Sequence, residues 1–237
     1  MKRRFLSVLP SENKTLIKGL NDSLFSQNFR FPEFKEKWQT YKISDFLTFF
    51  STNSLAWEQL EYSAVGFYNL HYGLIHQGLP LHIDLTDYIF PVVKAKSIPT
   101  NYEMCQDGDV AFADASEDTD DVGKVVEFVN CNKQKIVCGL HTIHGRDKLD
   151  ITIRGFKGFA FSSKLFRNQI KKLAQGTKVY SISLKTLNVC LLDVPSKDEQ
   201  LKIVNLLTGV NRKIVTEKKL LYLYKSQKEY FLKKIFI

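Results

Sequence analysis

The sequence predicts an α+β protein in which a β-rich domain is followed by one long C-terminal coiled-coil helix. Between "NFRFPEFKEKW" and "CLLDVPS", short runs of β-branched and aromatic residues alternate with the turn signals "HYG", "HQG", "QDGD" and "IHGRD", a strand-and-turn pattern. Within that region "SSKLFRNQIKKLAQG" has helical spacing. From Ser196 onward a 4-3 apolar spacing continues to the end of the chain, too long for one ordinary helix of a compact domain.

Taken in order, residues 1–28 are expected to be a polar lead-in, with "KTLIKGLNDSLF" a short helix ending near Asn21. Residues 29–195 form the expected domain, with Phe31, Phe34 and Trp38 as core residues where it begins. Expected strands lie in "DYIFPVVKA", "DVAFAD", "GKVVEFVN", "KIVCGLHTI" and "LDITIRGF". In "SSKLFRNQIKKLAQG", Leu165, Phe166, Ile170 and Leu173 fall near one helical face, and Gly176 is positioned to cap the C-terminus. Pro195 stops the preceding strand, Ser196 can cap the next helix, and Glu199 can reach back to the Ser196 amide. Residues 196–237 should therefore form one helix that begins within a residue or two of Lys197. Its stripe runs Ile203, Leu207, Val210, Ile214, Glu217, Leu221, Tyr224, Lys228, Phe231, Ile235, widened by Leu206 and Leu220. Gly209 within it costs about 1 kcal/mol relative to alanine. A single helix cannot bury such a stripe, so it needs a partner helix, most simply from another copy or a similar protein.

Composition narrows the function classes. The 237 residues suffice for a buried core, and no run approaches the roughly 18 apolar residues of a membrane span. The start "MKRRFLSVLPSENK" has too short an apolar run for a secretion signal, so a cytoplasmic location and no membrane partner are expected. Cys105, Cys131, Cys138 and Cys190 are few and irregularly spaced, which favours reduced thiols over a disulfide framework. Lysine and arginine outnumber aspartate and glutamate 34 to 25, a formal charge of +9 that favours polyanionic partners. "SEDTDD", Ser116 to Asp121, is a local acidic exception. Such a patch has to bind a cation or turn away from phosphate.

Catalytic signatures are missing. The sequence holds no G-x-x-x-x-G-K-[ST] phosphate loop, no G-x-S-x-G elbow and no Asn-Pro-Pro-aromatic tetrapeptide. Cys131, Cys138, His141 and His144 do not have zinc-finger spacing, and the expectation is no metal and no cofactor.

"NFRFPEFKEKW", then "DGDVAFADASEDTDDVGKVVEF" and "VCGLHTI", then "QGTKVYSIS", "VPSKDEQ" and "LLYLYKSQKEYFLKKIF" stand in an order that resembles one repeat of the specificity subunit of Type I restriction-modification systems. The resemblance covers about Phe29 to Phe236. It implies a non-catalytic DNA reader whose family members usually carry two target-recognition domains and two long helices paired as a coiled coil. It also implies methyltransferase subunits and a translocating restriction subunit as partners, with methyl donor and ATP belonging to them. One domain and one helix make this chain similar to a half-size subunit that works as a homodimer or beside another half subunit.

The residues themselves nominate contacts to double-stranded DNA. In "QGTKVYSIS", Thr177 offers a hydroxyl, Lys178 a charge and Tyr180 an aromatic face with a polar tip. "HTIHGRDK" gathers His141, His144, Arg146 and Lys148, while Lys164, Arg167, Lys171 and Lys172 form a basic helix face. Ile203, Leu207, Val210, Ile214, Leu221 and Phe231 are the expected partner-helix residues. Two competing readings remain: a small metal-dependent nuclease using Asp114, Glu117 and Asp120, and an interaction-only subunit that binds methyltransferase without DNA preference.

Overall fold

The computed structural model describes residues 11–63 and 66–235. The segment "MKRRFLSVLP", part of the expected lead-in, and residues 236–237 lie outside the described residues. The described residues open with α1 (Ser11–Phe25), β1 (Gln39–Lys42), α2 (Ile43–Phe46) and β2 (Leu47–Phe50). They continue through β3 (Leu60–Glu61), β4 (Tyr68–Leu70), α3 (Tyr72–His76), β5 (His82–Asp84) and β6 (Val92–Val93). Then follow β7 (Val110–Ala113), β8 (Ala115–Ser116), β9 (Val125–Asn130), β10 (Ile136–Cys138) and β11 (Thr142–Asp147). The last part comprises α4 (Phe156–Ser162), α5 (Lys164–Leu173), β12 (Tyr180–Ser181), α6 (Leu184–Val189), β13 (Leu191–Val194) and α7 (Lys197–Ile235). The architecture is the α+β one expected, with the long helix last.

A five-stranded sheet, ordered β2-β11-β7-β9-β5, divides two cores. Because strand side chains alternate between faces, Val110 and Phe112 of β7 enter one core, while Ala111 and Ala113 enter the other. The first core is covered by helices and includes Leu24, Phe25, Phe156, Phe161, Phe166, Ile170, Ile203 and Leu207. The second lies toward a four-stranded sheet, ordered β10-β4-β6-β3, and includes Leu70, Ile75, Ile83, Phe128 and Ile136.

Several expectations are corrected. The lead-in is, from Ser11 on, a helix that ends at Phe25 rather than Asn21, and it belongs to the main core: Leu24 and Phe25 are buried, and buried Asn21 donates to Phe159 O at 3.1 Å. "LDITIRGF" forms no strand and instead leads into α4. There Glu127, buried on β9, accepts from the amides of Gly155 (2.7 Å) and Gly158 (2.6 Å) at the start of α4. Helix α5 ends before Gly176, with Ala174 already extended. Phe166 and Ile170 are its buried face, whereas Leu165 and Leu173 are exposed.

The start of α7 is where expected, at Lys197, with the Glu199 amide on Ser196 Oγ at 3.4 Å. The Glu199 carboxylate does not turn back to cap the helix. It is buried and takes two hydrogen bonds from Arg30, at 2.8 and 2.9 Å. Gln200, also buried, donates to Ile151 O and Pro195 O and accepts from Ile153 N. Lys202 pairs with Glu33 and lies over the rings of Phe31 and Phe34. "RFPEF" and "KDEQ" thus form two sides of one clasp. Beside it β1 pairs antiparallel with β13, from Gln39 opposite Val194 to Lys42 opposite Leu191.

The clasp corrects the partner-helix expectation for part of the stripe. Ile203 is 1% exposed and Leu207 0%, both inside the chain's own main core, and Ile214 is also buried. The lead-in helix α1 packs against α7. Leu221 and Phe231 are half exposed.

Candidate nucleic-acid interface

Strand β12 pairs with β8, placing Tyr180 opposite Ser116 and Ser181 opposite Ala115. Reciprocal backbone bonds between Gln175 and Ser181 close a tight loop ahead of it. Gly176 adopts φ +128°, and a Cβ there would sit 1.9 Å from Val179 O, so only glycine fits. Thr177 and Lys178 stand exposed on this loop, while Tyr180 is half-buried against the main core.

The β10–β11 turn arrives at the same place. His141 has φ +54° and its carbonyl accepts from Asp114 N, while Asp114 O accepts from Ile182 N just beyond β12. The exposed His141 ring is 3.0 Å from Asp114 Oδ1 through Nδ1 and meets Tyr72 edge-on, with centroids 5.0 Å apart. Tyr72 also contacts His76, whose Nε2 is 2.9 Å from Ala115 O. His71 stacks between Tyr72 and Trp57, at 4.8 and 4.3 Å, and caps α3 by accepting from Gly73 N at 3.1 Å. Burial holds the His71 pKa below its ordinary value, with His141 adding to the effect. The result is a surface of aromatic faces and ring nitrogens, with the Asp114 carboxylate beside them, chemistry that can stack on and hydrogen-bond to bases.

Backbone bonds through Asp114 thus place His141 and the Thr177–Tyr180 loop on neighbouring segments. His144 is a correction: the residue is fully buried, with Nε2 2.7 Å from Asp109 Oδ2, because the strand turns it inward. Arg146 is a second correction. It grips Asp109 through two hydrogen bonds (2.9 and 2.8 Å), donates to Glu103 and Met104 O, and lies over the Phe50 ring. Those bonds raise its pKa and leave little of its fork for DNA. On α5, Arg167 donates to Asp120 O and Lys171 pairs with the Asp120 carboxylate, so these cations neutralise the chain's own acidic loop. Lys164 is exposed at the opposite end of α5, where its amide is held by Asp22.

Tyr72 and His76 lie in "HYG" and "HQG", which read as turn punctuation, and Trp57 lies outside every motif singled out above. The signal available was density: "LHYGLIHQG" carries two histidines and a tyrosine within nine residues. Asp114, Glu117 and Asp120 do not converge, since the first faces His141 and the last Lys171. Among the described residues, the group of potential metal ligands that does form is Cys105, Cys138 and His144, inside the fold. No described helix is long and apolar enough to cross a membrane.

No protein-family model and no curated protein matches the sequence. Solved structures do match. A chain from a structure concerning complex assembly and conformational transition of the type I R-M system aligns with TM-score 0.62 and 14% identity, over 93% of this chain and 49% of that one. The HsdS subunit from Thermoanaerobacter tengcongensis aligns with TM-score 0.54 and 14% identity, over 88% and 46%. The Type-I restriction-modification system S subunit from M. genitalium aligns with TM-score 0.55 and 16% identity, over 97% and 55%. The chain has the fold of these S subunits, and spans about half their length.

Proposed function

We propose that the protein is the sequence-specific DNA-recognition subunit of a Type I restriction-modification complex, reading one half of a bipartite site. What carries the reading is a fold shared with S subunits across nearly the whole chain, at about half their length. The basic balance and the His141–Lys178 surface support DNA as the ligand. The chain itself is non-catalytic in this reading. Methyltransferase subunits and a restriction subunit, recruited by it, supply methyl transfer and ATP-dependent cleavage.

The exposed second half of α7 is the surface for pairing with another copy or another half subunit, so that the two long helices set the spacing between half-sites. Thr177, Lys178, Tyr180 and His141 meet the DNA in this arrangement, joined by Trp57, Tyr72 and His76. The competing interaction-only reading keeps the pairing and loses sequence preference.

Methylation mapping of DNA from cells with the protein and a methyltransferase subunit, against cells lacking the protein, tests this. A new motif with two inverted identical halves establishes recognition by a symmetric dimer. Unlike halves indicate a mixed pair. No new motif, with the methyltransferase bound, favours the interaction-only reading.

A further inference from the structure

Cys105, Cys138 and His144 are separated along the chain but meet between the two larger sheets. Cys138 ends β10 of the four-stranded sheet, and His144 lies on β11 of the five-stranded one. Cys105 precedes β7 and is tied to β10 by its amide, which donates to Ile136 O at 2.9 Å. All three are buried, and one ligand atom from each lies within 4.8 Å of the other two. The two sulfurs are 3.5 Å apart.

The histidine supplies a second observation. Its Nε2 is taken by Asp109 at 2.7 Å, whereas its Nδ1, equally buried, has no hydrogen-bond partner. Native folds rarely keep a buried polar atom without a hydrogen-bond partner. The nitrogen left over is the one free to coordinate.

We propose that Cys105 Sγ, Cys138 Sγ and His144 Nδ1 form a binding site for a thiophilic d10 cation, Zn(II) or Cu(I), with Asp109 orienting the imidazole. Thiolate and imidazole donors suit these ions over harder cations. At a Zn–S distance of about 2.3 Å, tetrahedral geometry separates two sulfurs by about 3.8 Å, so the observed gap needs little adjustment. A carboxylate on the second ring nitrogen is the usual support for a metal-bound histidine, fixing tautomer and orientation. Here Arg146 holds that carboxylate in turn.

Coordination displaces the thiol protons. With Zn(II), loss of both thiol protons to solvent and a neutral imidazole leave an uncharged assembly. The site would staple the two sheets at the second core, apart from the His141–Lys178 surface. Its existence is independent of the function proposed above.

The full-length chain, purified under reducing conditions, should contain one zinc or copper by elemental analysis, or take up one on reconstitution with Zn(II) or, anaerobically, Cu(I). The analysis tells the two ions apart. Cobalt(II) titration should produce a thiolate-to-cobalt charge-transfer band. Cys138→Ser should abolish both signals, and Cys190→Ser, at a buried cysteine elsewhere, should keep them. A folded wild-type chain that holds neither ion and gives no cobalt band overturns the proposal, as does a Cys105–Cys138 disulfide found under reducing conditions. Should Cys138→Ser not fold, the wild-type cobalt titration decides alone.

Discussion

The two halves of α7 share one apolar period and have opposite surroundings. From Lys197 to Ile214 the stripe lies on the domain, with Ile203 and Leu207 as buried as any sheet residue. Beyond Ile214, Leu221 is 54% exposed, Tyr224 65% and Phe231 50%. The 39-residue helix is about 58 Å long at 1.5 Å per residue, more than the domain can cover. Periodicity therefore states that a face is meant to be covered; it does not state by which molecule. The first half is seated on the domain through Ile203 and Leu207, and the second half leaves a run of large apolar side chains exposed.

Substitutions in the two halves should separate cleanly. The largest effect is expected from Leu207→Asp, which puts a charge into a closed core and should cost on the order of 4 kcal/mol or more. Chemical denaturation would show it, and any loss of pairing in this variant reports unfolding rather than the helix interface. Arg30→Ala should cost about 2–3 kcal/mol, because Glu199 is left buried without its partner. An unchanged midpoint would mean that the clasp does not seat α7.

A smaller effect depends on pH. Burial drives Glu127 up to about 7, against the opposing charge of Lys157 and the amides of Gly158 and Gly155. Burial likewise drives His82 down to about 4. The two groups are 3.9 Å apart beneath Gly155, which abuts Val204 of α7. Glu127 binds more protons folded than unfolded, so its contribution is complete below 4.5 and is lost as pH rises to 7. His82 binds fewer, so its contribution is complete above 6.5 and is lost as pH falls to 4. Each changes stability by up to about 1.4 kcal/mol per pH unit with opposite sign, and they nearly cancel in the wild type. Relative to the wild type, His82→Gln should lose stability as pH rises from 4.5 to 6.5. Parallel melting curves across that range would refute the burial argument. Pairing through the distal half should not follow this profile.

The least effect on folding is expected from Leu221→Asp with Phe231→Asp. At half-exposed positions the unfolding midpoint should move within about 0.5 kcal/mol, while sedimentation should show association lost. A double variant that still associates with unchanged affinity would place the partner surface elsewhere.

Much of the fold was legible because the signals were local. Ser196 and Pro195 set the start of α7, and "DVAFAD" and "GKVVEFVN" gave β7 and β9. "LDITIRGF" misled, since its β-branched residues pack as coil against the helix layer, with Ile151 and Ile153 at the edge of the main core. At the candidate site, the polar residues Thr177–Tyr180 pointed to a turn, and the structure has an exposed loop there. His144 and Arg146 were misread because their partner, Asp109, lies 35 and 37 residues away, a distance no local pattern reports. The same applies to Cys105 and Cys138. Their separation of 33 residues hid a contact of 3.5 Å.

The clasp between Arg30 and Glu199 joins positions 169 residues apart. Contacts of such separation form late, since the loop they close must first be ordered. During synthesis the main core would lack Leu192, Val194, Ile203 and Leu207 until nearly the whole domain had left the ribosome. Until then α1 and α4, with Phe25 and Phe156, would lack α7 as a packing partner, a state that invites chaperone binding and proteolysis. A nascent chain stopped before residue 195 should be degraded quickly, and one stopped after Ile214 should survive as a folded monomer.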